Sequence, residues 1–256
     1  MSAAVALPLL VLLVGYGPTW LFAATVCLLA LAGLYEYFTL AFSSSTFSVA
    51  FGLAWGGAVL AGMVSRRAEA VAAVMASGLL GGFLYVLFRG HDLDDGVAWV
   101  GRWLVGVVYV GALFPYFIWL REVDARWLLF TLLVVMMGDT GAYIAGRRWG
   151  RHKLLARVSP GKTWEGGVGG VVSGLLGAAV ARALFLPPRP PAEVFVLAFF
   201  LCILGQVGDL CESAMKRAFG AKEAGWLVPG HGGILDRTDS LLFPVAAVYH
   251  YLKSWG

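Results

Sequence analysis

The sequence predicts an all-α, polytopic integral membrane protein with about nine transmembrane helices, and three observations carry that reading. Hydrophobic residues make up 60% of the 256 residues and charged residues 13%, and the mean hydropathy is +0.80. Soluble domains carry roughly 25% charged residues. Stretches long and apolar enough for a bilayer, about 20 residues each, recur along the whole chain. Between them, short connectors collect most of the charge.

The candidate spans lie near 3–16, 19–38, 48–64, 69–88, 97–120, 126–146, 166–186, 193–212 and 239–253. The first and last are short, which tilt or local thinning of the bilayer accommodates. Met1-Ser2-Ala3-Ala4 runs into apolar residues with no Lys or Arg before them. A cleaved secretory signal is therefore not expected, and the first segment should be retained. Arg66-Arg67, Arg89 to Asp95 and Arg121 to Arg126 are connectors, and Pro187-Pro188-Arg189-Pro190-Pro191 is a stiff, extended one. No internal repeat interrupts the pattern. The expected organisation is one membrane domain over 1–256, with hydropathic spans in 1–125 and a catalytic half in 126–256.

The net charge of +4 and the pI near 9.0 fit cytoplasmic loops rich in Lys and Arg. No nucleic-acid-reading module accompanies them, so no nucleic-acid partner is expected. Cys27, Cys202 and Cys211 form neither a disulfide framework nor a CxxC pattern and are expected to pack. Residues 147–162 hold Arg147, Arg148, Arg151, Lys153, Arg157 and Lys162 with no acid, and 213–239 hold a second basic set. Both loops are expected on the cytoplasmic side, which puts the N-terminus inside and the C-terminus outside. Arg66, Arg67, Arg121 and Arg126 run against that assignment.

Carboxylates interrupt the C-terminal spans. Asp139 follows the apolar run Leu128 to Met137, and Asp209 follows Leu201-Cys202-Ile203-Leu204. A carboxylate in a membrane helix costs a few kcal/mol, so it faces protein, water or an ion, or else sits at the interface. Gln206, Asp209, Ser213 and Lys216 recur at i, i+3, i+7 and i+10, one helical face with Glu212 beside it. Such a stripe is a solvated face, an ion-pair ladder, or the wall of a phosphate and metal site. Downstream runs Pro229-Gly230-His231-Gly232-Gly233-Ile234-Leu235-Asp236-Arg237-Thr238-Asp239. Its glycines permit close backbone approach, and its Asp-Arg-x-Asp offers hard oxygen ligands and a guanidinium for phosphate.

The basic loop ends in Ser159-Pro160-Gly161-Lys162-Thr163-Trp164-Glu165. Gly161-Lys162-Thr163 looks like the tail of a P-loop, but Ala156 stands where the opening glycine belongs and no strand is expected before it. The expectation is a polar turn entering a helix whose N-terminus can hold an anion. That helix carries Gly166, Gly170 and Gly174 at four-residue spacing, a small-residue surface for close packing.

Ser213 to Asp239 resembles the motif of the phosphatidate cytidylyltransferases, also called CDP-diacylglycerol synthases. The likeness rests on Ser213, Met215, Lys216, Arg217, Lys222, Gly225, Pro229, His231, Gly232, Gly233, Ile234, Asp236, Arg237, Thr238 and Asp239. Gly138-Asp139-Thr140-Gly141-Ala142-Tyr143, the segment 159–165 and Gly208-Asp209 resemble the family as well. Glu223 stands where the family usually has Asp, and Val228 replaces a larger apolar residue. The motifs cover the C-terminal half; the N-terminal half is similar in hydropathy alone.

The resemblance implies that a phosphatidate phosphate oxygen attacks the α-phosphorus of CTP and pyrophosphate leaves. Small size and the lack of regulatory appendages suggest a bacterial plasma membrane, and the basic loops put the site on the cytoplasmic side. The resemblance also implies Mg²⁺ held by Asp209 and Asp236, with room for a second cation. Asp209, Asp236, Lys216, His231, Arg237 and Asp239 are the expected catalytic residues. Ser159, Lys162, Thr163, Glu165, Asp139, Ser213, Arg217, Lys222, Gly232 and Gly233 are the expected substrate-binding ones. CTP, phosphatidic acid and membrane lipids are the expected partners, and an oligomer is compatible with them. Two rivals remain in view. A transporter predicts two related halves, which the sequence lacks. A CDP-archaeol synthase or polyprenol kinase keeps the chemistry and changes the lipid.

Overall fold

The computed structural model describes residues 2–43, 45–89, 93–221, 223, 225 and 232–255. Along the chain these form α1 (Ser2–Tyr16), α2 (Thr19–Ala41), α3 (Thr46–Val64), α4 (Ala68–Arg89) and α5 (Leu93–Gly106). A wider π-helical stretch, Val107–Ala112, leads into α6 (Pro115–Trp149). A small hairpin of β1 (Lys153–Leu155) and β2 (Ser159–Thr163) follows, then α7 (Trp164–Leu184), α8 (Pro191–Ala218) and α9 (Leu235–Trp255). The all-α membrane class therefore holds. Among the described residues six helices are long and apolar enough to cross a membrane, against the nine spans expected. One of the six, Asp95–Trp149, runs for 55 residues and takes in two of the expected spans. α1 is 15 residues long and α9 carries Asp236, Arg237 and Asp239 among its first five residues, and neither is among the six.

Asp124 interrupts α6 with extended backbone (φ −167°, ψ 117°). Its Oδ1 accepts the Arg126 amide at 2.9 Å, and its carboxylate pairs with the Arg126 guanidinium at 2.8 Å. A short acid that leaves helical geometry and then takes the amide two residues on is a helix restart. The connector expected at Arg121 to Arg126 is therefore this break.

The chain forms two compact units. One comprises Ala23–Ile118 with Glu223–Leu235. Rings fill its core. Trp103, fully buried, has Phe51 at 4.9 Å and Phe42 at 5.1 Å between ring centres, and Tyr85 edge-on at 5.6 Å. Its indole N–H donates to the Ser48 carbonyl at 2.8 Å, and the Tyr37 hydroxyl donates to the Arg102 carbonyl at 2.9 Å. Both polar tips are thereby satisfied inside the apolar core.

The other unit comprises Met1–Phe22, Trp119–Lys222 and Asp236–Gly256. Arg121 donates to the Val14 carbonyl at 2.8 Å and to that of Gly17, and lies 4.9 Å from the Phe22 ring. It closes the C-terminal end of α1, where helix carbonyls lack intrahelical donors. Glycine governs the packing of α6, α7 and α8. A methyl on Gly166 would lie 2.9 Å from the Ala142 carbonyl, one on Gly170 3.0 Å from that of Gly138, and one on Gly174 3.1 Å from that of Val134. The expected small-residue surface thus lies against α6. α8 uses the same device on α9: a methyl on Gly205 would lie 3.2 Å from the Ser240 carbonyl, and one on Gly208 would run into that of Asp239.

Candidate active site

Close glycine crossings leave room between helices for polar side chains. In the unit containing α6 to α9, a cavity of about 700 Å³ is lined by Asp139 and Tyr143 from α6, Ser159, Lys162 and Thr163 from β2, Gln206, Asp209 and Lys216 from α8, and Asp236, Asp239 and Ser240 from α9. Four carboxylates and two ammonium groups share one space.

Each carboxylate has a definite partner. Lys162 Nζ lies 2.7 Å from Asp209 Oδ2 and donates to the Gln206 carbonyl at 3.4 Å. Lys216 Nζ sits between two acids, 2.6 Å from Asp236 Oδ1 and 2.5 Å from Glu212 Oε2. The Ser240 hydroxyl donates to Asp139 Oδ2 at 3.0 Å, and its amide donates to Asp239 Oδ1 at 2.8 Å. The Ser213 hydroxyl reaches Asp209 Oδ1 at 3.4 Å. The polar face of α8 is thus one wall of the cavity, with an ion-pair ladder built into it.

The basic segment departs from expectation in its local structure. A strand, β1, does precede Gly161-Lys162-Thr163, and it pairs antiparallel with β2. A P-loop remains excluded, because Ala156 still stands at the opening-glycine position. The hairpin forms where the chain must reverse between two membrane helices, and it delivers Lys162 at the foot of α7. Thr163 ends the strand and caps the helix, its Oγ1 accepting the Gly166 amide at 3.1 Å.

Not every expected residue faces the cavity. Glu165 turns to the hairpin, accepting the Arg151 amide at 3.2 Å and contacting His152 Nδ1 at 2.6 Å. Arg217 is exposed and reaches the Val158 and Ala221 carbonyls, each at 3.4 Å. Arg237 is exposed in the first turn of α9 and is not among the lining residues. Gly232 and Gly233 belong to the other compact unit. His231 and Lys222 lie outside the described residues. Among the described residues, no three carboxylates, histidines or cysteines gather into a metal cage.

Ser240 and Glu36 were not singled out from the sequence, and Glu212 was named only beside the α8 stripe. Ser240, the next residue after the Asp-Arg-x-Asp run, bridges Asp139 and Asp239. Glu212, 2% exposed, holds the far side of Lys216. Glu36 is also 2% exposed, and its Oε2 accepts the Leu235 amide at 3.1 Å. The available signal for Glu36 was its isolation, since it is the one charged residue in the 23 of α2.

The chain is similar in sequence to known bacterial proteins. The chain is 39% identical over 156 residues to a phosphatidate cytidylyltransferase of Bacillus subtilis, covering 60% of this chain and 58% of that protein. It is 44% identical over 140 residues to one of Staphylococcus epidermidis and 45% identical over 141 residues to one of Staphylococcus haemolyticus, each match covering 55% of this chain and 54% of the relative. The chain thus spans somewhat more than half the length of the curated relatives it matches. The profile of the cytidylyltransferase family matches residues 1–255, so the chain belongs to the cytidylyltransferase family.

Proposed function

We propose that this protein is a phosphatidate cytidylyltransferase, which converts CTP and phosphatidate to CDP-diacylglycerol and pyrophosphate. The observation that carries the reading is the polar cavity itself: Lys162 from β2 and Lys216 from α8 share it with Asp139, Asp209, Asp236 and Asp239, in a protein most of whose helices suit a bilayer. Charge of both signs gathered among membrane helices is costly and marks a site that handles charged ligands. The names of the bacterial relatives supply the substrate class.

In the reaction, an oxygen of the phosphatidate phosphate forms a bond to the α-phosphorus of CTP. The bond from that phosphorus to the oxygen bridging to the β-phosphorus breaks, and pyrophosphate carries the electron pair away. Transfer of this kind depends on positioning and charge neutralisation more than on covalent help from the protein. Besides Arg147, the cations at hand are Lys162 and Lys216. Each lysine is held by a carboxylate and is drawn onto phosphate oxygens when substrate enters. Asp139, kept in place by Ser240, and Asp239 shape the same space from α6 and α9.

The lining residues fit a hard cation. They supply carboxylate oxygens from three helices, and among the described lining residues none is a cysteine or histidine. Asp209 and Asp236 would hold Mg²⁺, with Asp139 and Asp239 near enough in the fold to serve a second cation. The bound ion would neutralise triphosphate charge. Serine and lysine partners on these carboxylates keep them oriented in its absence.

The active side faces the cytoplasm of a bacterial plasma membrane, where CTP is available and where the basic segment 147–162 is expected to lie. Cysteines placed at Arg151 and Ala221 in a cysteine-free background should resist an impermeant thiol reagent in intact cells. Reaction from outside would overturn the orientation. The test of function is turnover of radiolabelled CTP by purified protein with phosphatidate, an ether-lipid phosphate or a polyprenol. Product with phosphatidate alone is expected; preference for either other lipid would move the chain to a neighbouring activity.

A further inference from the structure

Glu36 lies in α2, in a stretch that the sequence marks by hydropathy alone. Its carboxylate is 2% exposed and accepts the Leu235 amide at 3.1 Å. Two glycines press on it. A methyl on Gly233 would lie 2.6 Å from Glu36 Oε2, and one on Gly225 would lie 2.7 Å from Oε1. All four residues belong to one compact unit. Separations of that size are closer than side-chain carbons tolerate, so at these two positions the carboxylate takes the space of a side chain.

Packing alone does not account for an acid here. A buried carboxylate in a membrane helix is retained where a group needs its charge or its acceptor oxygens. Leu235 is the first residue of α9, where backbone amides lack intrahelical acceptors and the helix dipole favours a negative group. Chain order then fixes the consequence: Asp236 follows Leu235 directly, and Asp239 lies one turn on.

We infer that Glu36 is a positioning residue of the transferase site, a carboxylate anchor that sets the backbone of Gly233 to Leu235 and so the first turn of α9. This role rests on the function proposed above.

Full-length protein in detergent carrying Glu36→Gln, Glu36→Ala, Gly233→Ala or Glu36→Ala with Gly233→Ala tests the inference. Gln keeps one oxygen for the Leu235 amide, so it should retain about a tenth of wild-type kcat, with Ala falling about tenfold lower. KM for CTP should move less than kcat in both, because Glu36 is not among the residues lining the cavity. Gly233→Ala should push the carboxylate off the Leu235 amide and lower kcat several-fold alone, and it should add little on top of Glu36→Ala, since the colliding carboxylate is gone. Additive losses, or wild-type kcat in Glu36→Ala, would overturn the role. Hydrogen exchange at the Leu235 amide gives a readout without turnover. It should be faster in Glu36→Gln and faster still in Glu36→Ala, and unchanged exchange in both counts against the anchor. If the wild-type protein itself fails to use CTP and phosphatidate, the functional reading falls, while the exchange measurement still decides whether Glu36 holds this backbone.

Discussion

The two compact units solve the packing of membrane helices in opposite ways. In the unit built from α2 to α5, large rings fill the core: Trp103 meets Phe42, Phe51 and Tyr85, and its polar tip finds a carbonyl. In the unit built from α6 to α9, small residues let backbones approach, as at Gly166, Gly170, Gly174, Gly205 and Gly208. Rings leave little space for anything else. Glycine crossings leave the side chains on the remaining faces free to line a cavity, and those side chains are charged. On the proposed function, the difference separates a part whose residues hold structure from a part whose residues handle ligands. Glu36 is the inferred exception, an acid in the ring-packed unit.

The largest expected effect lies in the charged cavity. Asn keeps the size and capping ability of Asp but removes the negative charge and binds hard cations poorly. Asp209→Asn and Asp236→Asn should each lower CTP turnover by about a hundredfold or more, with the double variant scarcely worse than either. The proteins should remain monodisperse in detergent. Substantial turnover in one single variant, with an unchanged Mg²⁺ requirement, would remove the metal role. Lys162→Ala comes next. It frees Asp209 of its 2.7 Å partner and removes the cation proposed to bind phosphate, so kcat/KM for CTP should fall about tenfold or more without loss of extractable protein. Wild-type turnover across substrate concentrations would reject a site role for Lys162.

Glycines give a graded test of the backbone approach. A methyl on Gly208 meets the Asp239 carbonyl head-on, whereas one on Gly205 would sit 3.2 Å from that of Ser240. Backbone cannot swing aside as a side-chain tip can. Gly208→Ala should therefore push the first turn of α9 from α8 and cost several-fold in kcat, and Gly205→Ala should cost less. Equal effects, measured on equally folded protein, would mean that the α8–α9 approach is not what holds Asp236 and Asp239.

Much of the site was legible in the sequence because membrane helices make polar residues conspicuous. Asp139 and Asp209 each end an apolar run, and the α8 stripe shows its helical period directly; all of these but Ser213 line the cavity. The hairpin was not legible. A strand of three residues and another containing Pro160 and Gly161 are too short and too irregular for any period to emerge. Nor was the pairing of Glu36 with Leu235, since nothing local links residues 199 positions apart. The count of nine spans is not confirmed: among the described residues six helices are long and apolar enough, and one of them runs through the break at Asp124, where the sequence expected a connector between two spans.

The smallest effect on turnover belongs to the ring-packed core, and it is the one that tests the comparison hardest. Trp103 is fully buried and donates to Ser48. Trp103→Leu leaves a cavity among Phe42, Phe51 and Tyr85 and removes the donor, a change that costs about 3–5 kcal/mol in water-soluble cores when Trp or Phe becomes Ala, and less for Leu. Trp103→Phe keeps most of the ring contact and loses the hydrogen bond, worth about 1 kcal/mol. Melting temperature in detergent should therefore fall in the order wild type, Phe, Leu. Because no part of Trp103 lines the cavity, kcat per folded molecule at low temperature should stay within about twofold of wild type, less than 0.5 kcal/mol on the barrier. A melting shift without a turnover change would separate structural residues from ligand-handling ones as the packing suggests. A large fall in kcat of folded Trp103→Phe would show that the ring-packed unit supports the chemistry at many positions, and Glu36 would then be one contributor among several.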